Sequence, residues 1–147
     1  MAIKSISPRE AHDLVSGTDG AVYLDVRTVE EFSAGHPAMA YNVPLLQRDR
    51  IGQMAPNPDF LAVVRARFTP GTPLFVGCHS GGRSLRAAEI LEAAGYTSVV
   101  NVRGGFGGAR DASGRVVEPG WAAQGLPVET QPRPGASYES LKGKGHP

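Results

Sequence analysis

Residues 74–85 read LFVGCHSGGRSL and contain Cys78, the single cysteine of the chain. The first letters form an apolar run that is typical of a buried strand. After the glycine-containing turn, apolar residues recur at the spacing of one helical face: Leu85, Ala88, Leu91 and Ala94. Gly95 is a natural end for that helix. The stretch therefore predicts a strand, a tight loop and a helix, with the cysteine where the strand ends.

Three further runs predict strands: AVYLDV at 21–26, AYNVP at 40–44 and SVVNV at 98–102. Strands that alternate with helices are typical of an α/β domain, in which a mainly parallel central sheet is flanked by helices on both faces. In such sheets ligands bind beyond the carboxyl ends of the strands. Cys78 would lie at one of those ends.

The intervening helices are indicated by their start signals. SPRE at 7–10 and TVEE at 28–31 each read as a capping box, in which a side-chain hydroxyl and a glutamate satisfy the first backbone donors. The second helix would turn Val29 and Phe32 inward. A third helix is expected to begin with the cap Asn57 and to run to about residue 68.

Composition and charge narrow the class of protein. The chain has 147 residues, of which 41% are hydrophobic and 20% charged, as in an ordinary globular domain. The net charge of +1 gives no field that would recruit nucleic acid or a membrane, so we expect neither as a partner. We expect a cytoplasmic protein, because residues 1–12 lack a secretory signal and no run approaches the roughly 20 apolar residues of a membrane helix.

The ends of the chain differ in character. Residues 1–130 are expected to form one domain, whereas residues 131–147, QPRPGASYESLKGKGHP, are rich in Pro, Gly and Lys and predict a flexible C-terminal tail.

The single cysteine excludes an internal disulfide and a multi-cysteine zinc site. His12, His36 and His146 are too scattered to suggest a metal site, so no metal and no cofactor are expected.

The loop after the strand has the composition of an anion cradle around a sulfur atom. Its members follow Cys78 in order: His79, Ser80, Gly81, Gly82, Arg83 and Ser84. The glycines allow backbone conformations in which successive N–H groups point to one centre. The helix that begins there would add free N–H groups and the positive end of its dipole, which favour a thiolate. Since the thiolate is the nucleophile, the loop predicts a nucleophilic cysteine.

Each of these side chains has a second interpretation. Cys78 could be a small buried hydrophobe without chemistry, but packing alone would not require Gly-Gly-Arg after it. Arg83 either meets an incoming anion or braces the loop. The hydroxyls of Ser80 and Ser84 would add donors, and His79 either lines the loop or stays in solvent.

Three blocks of sequence carry a resemblance to a known family: LDVRTVEEFSAGHPAMAYNVP, CHSGGRS, and GYTSVVNVRGGF followed later by GWAAQGLPVE. Together they cover most of residues 21–129, and they resemble the rhodanese (thiosulfate sulfurtransferase) family, in its single-domain bacterial type. The resemblance implies a rhodanese-like fold. It also implies that Cys78 bears a persulfide, that the backbone of residues 79–84 cradles it, and that Asp25 and Arg27 support the loop. For that pair, a surface ion pair or a helix-capping charge is the alternative.

The sequence departs from the family pattern at two places. Pro37 and Met39 stand where an aliphatic residue and a glycine are usual. About a dozen residues, within GGARDASGRVVEPG at 107–120, separate Phe106 from Trp121 where the family commonly has a few. This insertion either folds over the Cys78 loop and restricts substrates or decorates the edge of the domain.

The resemblance implies a sulfurtransferase that moves a sulfane sulfur from thiosulfate or a similar small donor to a thiol, to cyanide or to a protein cysteine. A monomer or weak dimer is expected. A phosphatase or arsenate reductase also pairs a cysteine with an arginine, but the six residues from Cys78 to Arg83 are one fewer than in the dual-specificity phosphatases that the loop resembles. The third alternative is a rhodanese-like module that only binds a partner, and such modules often lack the cysteine.

Overall fold

The computed structural model describes residues 3–144. Its strands and helices follow in chain order: β1 (Lys4–Ile6), α1 (Pro8–Gly17), β2 (Val22–Asp25), α2 (Val29–Ala34), β3 (His36–Pro37), β4 (Tyr41–Asn42), β5 (Leu46–Arg48), β6 (Met54–Pro56), α3 (Phe60–Arg67), β7 (Leu74–Gly77), α4 (Gly82–Ala93), β8 (Val99–Val102), β9 (Ala109–Arg110), β10 (Val116–Glu118), β11 (Val128–Glu129) and α5 (Tyr138–Lys144). No helix in this part of the chain is long and apolar enough to cross a membrane.

The central sheet has five strands in the order β1-β8-β7-β2-β4, and all four pairings are parallel. The α/β prediction is therefore confirmed, and the four expected strand runs are β2, β4, β7 and β8. Strand β1 was not expected, because three residues at an edge carry no periodic signal. The centre of the sheet is β7, with β2 and β8 on its two sides.

The two faces of the sheet carry separate hydrophobic clusters, because successive strand residues point to opposite sides. On one face, Leu24 and Val76 pack with residues of α3, α4 and α5. On the other face, Tyr23 and Phe75 pack with residues of α1 and α2 and with Trp121. Helices thus cover both faces of the sheet, as the strand–helix alternation predicts.

The start signals of the first two helices are confirmed. Ser7 and Thr28 are N-caps, and each forms the complete capping box with the glutamate three residues later. The third helix begins later than predicted, with Asp59 as its N-cap. Asn57 instead accepts a hydrogen bond from the Asp59 N–H and so closes the preceding turn.

Two residues expected in the core lie on the surface. Val29 is 43% exposed, and Leu85 is 39% exposed. In α4 the buried face consists of Ser84, Ala87, Ala88 and Leu91. The buried face of α4 therefore differs from the predicted one. It includes Ser84, which faces the sheet, and leaves out Leu85.

The C-terminal segment differs from the flexible tail that we expected. Tyr138 and Leu141 lie one turn apart on α5 and are buried in the same cluster as α3. The Tyr138 hydroxyl also accepts a hydrogen bond from the Asn57 side chain at 3.1 Å. The segment before this short amphipathic helix is rich in proline and glycine, so the sequence alone does not predict the helix. His146 lies outside the described residues, and the domain boundary at residue 130 stays a prediction.

In the described part of the chain, three antiparallel two-stranded ribbons lie outside the central sheet: β3 with β11, β5 with β6, and β9 with β10. The last pair lies inside the 107–120 insertion. Its turn is closed by Asp111, whose carboxylate accepts hydrogen bonds from the backbone N–H groups of Ser113 and Arg115. The insertion is thus an ordered hairpin.

Candidate active site

Cys78 follows directly after β7, at the carboxyl end of the central strand of the sheet. It is only 2% exposed. The backbone N–H of Gly81 donates a hydrogen bond to its sulfur, with 3.1 Å between the two atoms. The loop therefore curls around the sulfur and directs a donor to it.

Helix α4 begins inside this loop. Gly81 is its N-cap and has φ 117° and ψ −14°, a left-handed conformation that favours glycine. The Leu85 N–H closes the first turn by donating to the Gly81 carbonyl at 3.1 Å. The N–H groups of residues 82–84 precede it, in the turn where a helix leaves its donors without a partner in the helix. The positive end of the helix dipole thus lies beside the sulfur.

The opposite side of the loop is tied to the segment after β8. The Phe106 N–H donates to the carbonyl of Cys78 at 2.7 Å, and the Gly107 N–H donates to that of His79 at 2.8 Å. Gly105 makes this approach possible, since a Cβ atom there would collide with the Cys78 carbonyl oxygen. These bonds determine the direction of the backbone at the cysteine.

Ser84 does not offer its hydroxyl to the sulfur. Its side chain is fully buried, and its hydroxyl lies 2.6 Å from the Asn101 side-chain oxygen and 3.1 Å from the Gly81 carbonyl. Asn101 in turn donates to the Ser5 hydroxyl at 3.1 Å. Ser84 therefore braces the loop against β8 and β1. Asn101, which no motif indicated, is the partner that holds it.

Arg83 is held by Glu31 through two hydrogen bonds, from Nη1 to Oε1 at 2.7 Å and from Nη2 to Oε2 at 3.0 Å. Of the two roles considered for this arginine, these bonds are consistent with bracing of the loop, and contact with an incoming anion stays a prediction. Burial raises the pKa of Glu31, but the bonds from Arg83 and from the Thr28 backbone outweigh burial and lower it from 4.5 to about 2. Hydrogen bonding to Glu31 raises the pKa of Arg83. Glu31 thus caps α2 and orients the loop arginine.

The replacement Glu31→Gln tests this bracing. Since the pKa of Glu31 is lower in the folded protein, its charge stabilises the fold above about pH 4.5, and the contribution is lost as the pH falls towards 2. We expect the variant to lose about 1 kcal/mol of unfolding free energy at pH 7, because the pair is partly exposed and screened. Its stability should also change less than that of the wild type between pH 4.5 and 2. Urea unfolding at several pH values measures both, with exposed Glu30→Gln as the matched control, and equal pH profiles for E31Q and wild type would contradict the prediction.

Asp25 and Arg27 form a buried ion pair behind the loop, not a surface pair. Their side chains are 2% and 4% exposed, and Nη2 of Arg27 lies 2.8 Å from the Asp25 carboxylate. The arginine also donates to the Gly35 carbonyl at 2.7 Å and lies over the ring of Phe106. Asp25 pairs in register with Gly77, the residue before the cysteine. The pair thus links β2, β7 and the segment that holds the loop.

Besides Gly82, His79 and Ser80 are exposed in the loop. Both line a groove of about 470 Å³ together with insertion residues Gly107, Gly108, Ala109 and Arg110. A second groove, of about 360 Å³, has Arg83 and Glu31 among its lining residues. The insertion therefore forms a wall beside the loop and does not merely decorate a distant edge.

The histidines that the structure describes do not combine into a metal centre. Within residues 3–144 no group of three or more His, Cys, Asp or Glu side chains could hold a metal ion. His36 is buried against Phe32, and its Nδ1 lies 2.8 Å from the Phe32 carbonyl. Its position indicates a structural role in the turn after α2.

Comparison with known proteins identifies the family to which this site belongs. A family model of the rhodanese-like domain matches residues 7–112. The chain belongs to the rhodanese-like family. The expected resemblance is therefore confirmed, and the fold is that of a single rhodanese-like domain.

Several relatives are similar over nearly the whole chain. Thiosulfate sulfurtransferase 16, chloroplastic, of Arabidopsis thaliana is 43% identical over 125 residues, covering 85% of this chain and 92% of that protein. Thiosulfate sulfurtransferase GlpE of Actinobacillus succinogenes is 32% identical over 130 residues, covering 88% and 94%. The crystal structure of Rv0390 from M. tuberculosis has 33% identity and a TM-score of 0.74, covering 89% of this chain and 100% of that one. These similarities support membership of a sulfurtransferase family.

Proposed function

We propose that the protein is a sulfurtransferase that carries a sulfane sulfur as a persulfide on Cys78. The observation that supports this most directly is the hydrogen bond from the Gly81 N–H to the Cys78 sulfur, at the first turn of α4. A donor and a helix dipole at the sulfur favour the anionic forms of both a thiolate and a persulfide.

The first half of the reaction loads the cysteine. The Cys78 thiolate attacks the outer sulfur of thiosulfate or a similar sulfane donor and forms a new S–S bond. The bond inside the donor breaks, and sulfite leaves with its electron pair. Backbone N–H groups of residues 81–84 stabilise the negative charge of the persulfide, so no metal and no organic cofactor takes part.

The second half of the reaction removes the sulfur from Cys78. A thiolate, cyanide or a cysteine of a partner protein attacks the outer sulfur, and Cys78 leaves as the thiolate with which the cycle began. Covalent catalysis of this type gives ping-pong kinetics. Asp25, Arg27, Ser84 and Glu31 act as supports that keep the loop in place, whereas His79 and Ser80 face the incoming acceptor.

The rival functions have less support. A phosphatase or arsenate reductase needs its loop arginine to attract a tetrahedral oxyanion, whereas Glu31 pairs with Arg83, takes two of its five donors and balances its charge. The chain also has no second cysteine for a reductase relay. A module that only binds a partner does not require a cysteine whose sulfur accepts a backbone hydrogen bond at the start of a helix.

Intact-protein mass spectrometry after incubation with thiosulfate tests the proposal. Because Cys78 is the single cysteine, a gain of one sulfur atom in the wild type has one expected location. We expect the gain to be absent in Cys78→Ser and to be removed from the wild type by cyanide. Ser16→Ala, an exposed change on α1 and outside the loop, is the control that should still load. No gain in the wild type would contradict the proposal. Phosphatase turnover would then favour the phosphatase, and no turnover would favour a module that only binds a partner.

The proposal includes a cytoplasmic location and a monomer or weak dimer. A single thiol that must stay reduced suits a reducing compartment. Fractionation of the source cells and light scattering of the purified protein test these two points. Recovery with an organelle, or a stable larger oligomer, would contradict them.

A further inference from the structure

The groove beside His79 and Ser80 exists because of the insertion. Its remaining lining residues, Gly107, Gly108, Ala109 and Arg110, all lie in the segment 107–120. We call it the insertion groove. Its volume of about 470 Å³ lies in the range of small-molecule binding sites, which is roughly 300–1,000 Å³.

Hydrogen bonds connect the insertion groove to the loop that holds the nucleophile. The backbone bonds from Phe106 to Cys78 and from Gly107 to His79 join the start of the insertion to the cysteine loop. The His79 ring lies so close to Gly107 that a Cβ atom there would collide with it. The ring therefore lies against Gly107, and a molecule in the groove lies next to His79 and Ser80, the residues that directly follow Cys78.

The charge of the two grooves differs. The second groove is lined by Glu30, Glu31, Arg48 and Arg83, whose formal charges cancel. The insertion groove has Arg110 and no carboxylate among its lining residues. Among residues 3–144 the nearby acidic side chains have other partners, since Glu118 pairs with Arg103 at 2.6 Å and the Asp111 carboxylate closes the hairpin turn.

Arg110 keeps donors available for a ligand. Its Nη1 donates to the Gly114 carbonyl at 2.9 Å, a bond that anchors the side chain across the hairpin. This uses one of the five N–H donors of a guanidinium, whose planar fork matches a carboxylate. The insertion thus presents a positioned cation at the edge of the groove.

We propose that the insertion groove binds the sulfur acceptor, and that this acceptor is a small thiol with a carboxylate that Arg110 holds. The inference rests on the proposed function and specifies its second half-reaction. With its carboxylate at Arg110, the acceptor extends its thiolate past Ser80 towards the outer sulfur of the Cys78 persulfide. The thiolate forms a bond to that sulfur, the bond to the Cys78 sulfur breaks, and the electron pair returns to Cys78. The acceptor leaves as a persulfide, and no oxidant or reductant is consumed.

The test compares two thiols that differ in the carboxylate. N-acetylcysteine is anionic, and N-acetylcysteine amide is its neutral counterpart. For Arg110→Gln we expect the KM for N-acetylcysteine to rise by about three- to fivefold at low salt, because an exposed charge pair contributes modestly and is screened by ions. The KM for the amide should stay within experimental error of the wild-type value, so the ratio of the two constants is the readout.

Arg115→Gln is the matched control, since it removes the same charge from the same hairpin but from outside the groove lining. It should leave both constants unchanged. Loading of Cys78 by thiosulfate is followed separately by mass spectrometry. If R110Q loads normally and the KM ratio equals that of the wild type, or if R115Q changes the ratio as much, the groove inference is overturned while the sulfurtransferase proposal stands. If the wild type does not load, the sulfurtransferase proposal fails first and the inference with it.

Discussion

Arg27→Met is expected to lower the free energy of unfolding by about 3–5 kcal/mol, because it leaves the Asp25 carboxylate buried without its partner. In the folded protein the Arg27 side chain forms three hydrogen bonds with that carboxylate, between 2.8 and 3.2 Å long. Both side chains are almost inaccessible to water, so solvent cannot replace the lost bonds. Urea denaturation at pH 7 measures the loss.

The double variant Asp25→Asn, Arg27→Met separates the charge effect from the loss of packing. Removing both charges should recover a large part of the stability lost by R27M, because no isolated ion is then left in the interior. A double variant as unstable as R27M, or less stable, would show that the bond from Arg27 to the Gly35 carbonyl and the contact with Phe106 dominate. That result would contradict our account of the pair.

The second large effect is expected for Gly105→Ala. A Cβ atom at Gly105 would overlap the carbonyl oxygen of Cys78, and Gly105 has φ +47°. The clash is with backbone, so no side-chain rotation can relieve it. We expect a loss of about 2–4 kcal/mol from overpacking and backbone strain together. Sulfur transfer should fall by at least about tenfold, because the loop must move away from the Phe106 N–H and displace the nucleophile.

Gly20→Ala is the control for backbone strain alone. Gly20 also has a positive φ, +79°, but an added Cβ atom would meet nothing within 4 Å. This variant should lose about 1 kcal/mol of stability and keep its full sulfur-transfer rate. Unfolding curves and steady-state rates for the two variants make the comparison. Equal rates for G105A and wild type would contradict the role assigned to the contact between Gly105 and Cys78.

Much of the fold could be predicted because its signals are local. The capping boxes at Ser7 and Thr28 each involve residues three positions apart, and the structure forms both. The apolar runs that became β2, β7 and β8 are continuous, as expected for strands buried on both faces. Cys78 at the end of β7 follows from the same runs.

Other features had no local signal. Strands β5, β6, β9 and β10 have two or three residues each, which is too short for periodicity to be visible. Helix α5 has a single buried turn after a proline- and glycine-rich stretch. Val29 and Leu85 fit helical spacing but lie on the surface, because spacing alone does not say which side of a short helix meets the sheet.

The sequence by itself determined the alternation of strands and helices, the position of the only cysteine and the glycine-rich loop after it, because neighbouring residues specify these. Only the tertiary structure decided what holds that loop. Glu31 and Arg83 are 52 positions apart, and Ser84 and Asn101 are 17 apart. Whether such residues meet depends on how the elements pack on the sheet, and no short pattern encodes that. The same holds for the insertion, whose hairpin becomes a wall of a groove because backbone bonds join residues 106 and 107 to the cysteine loop.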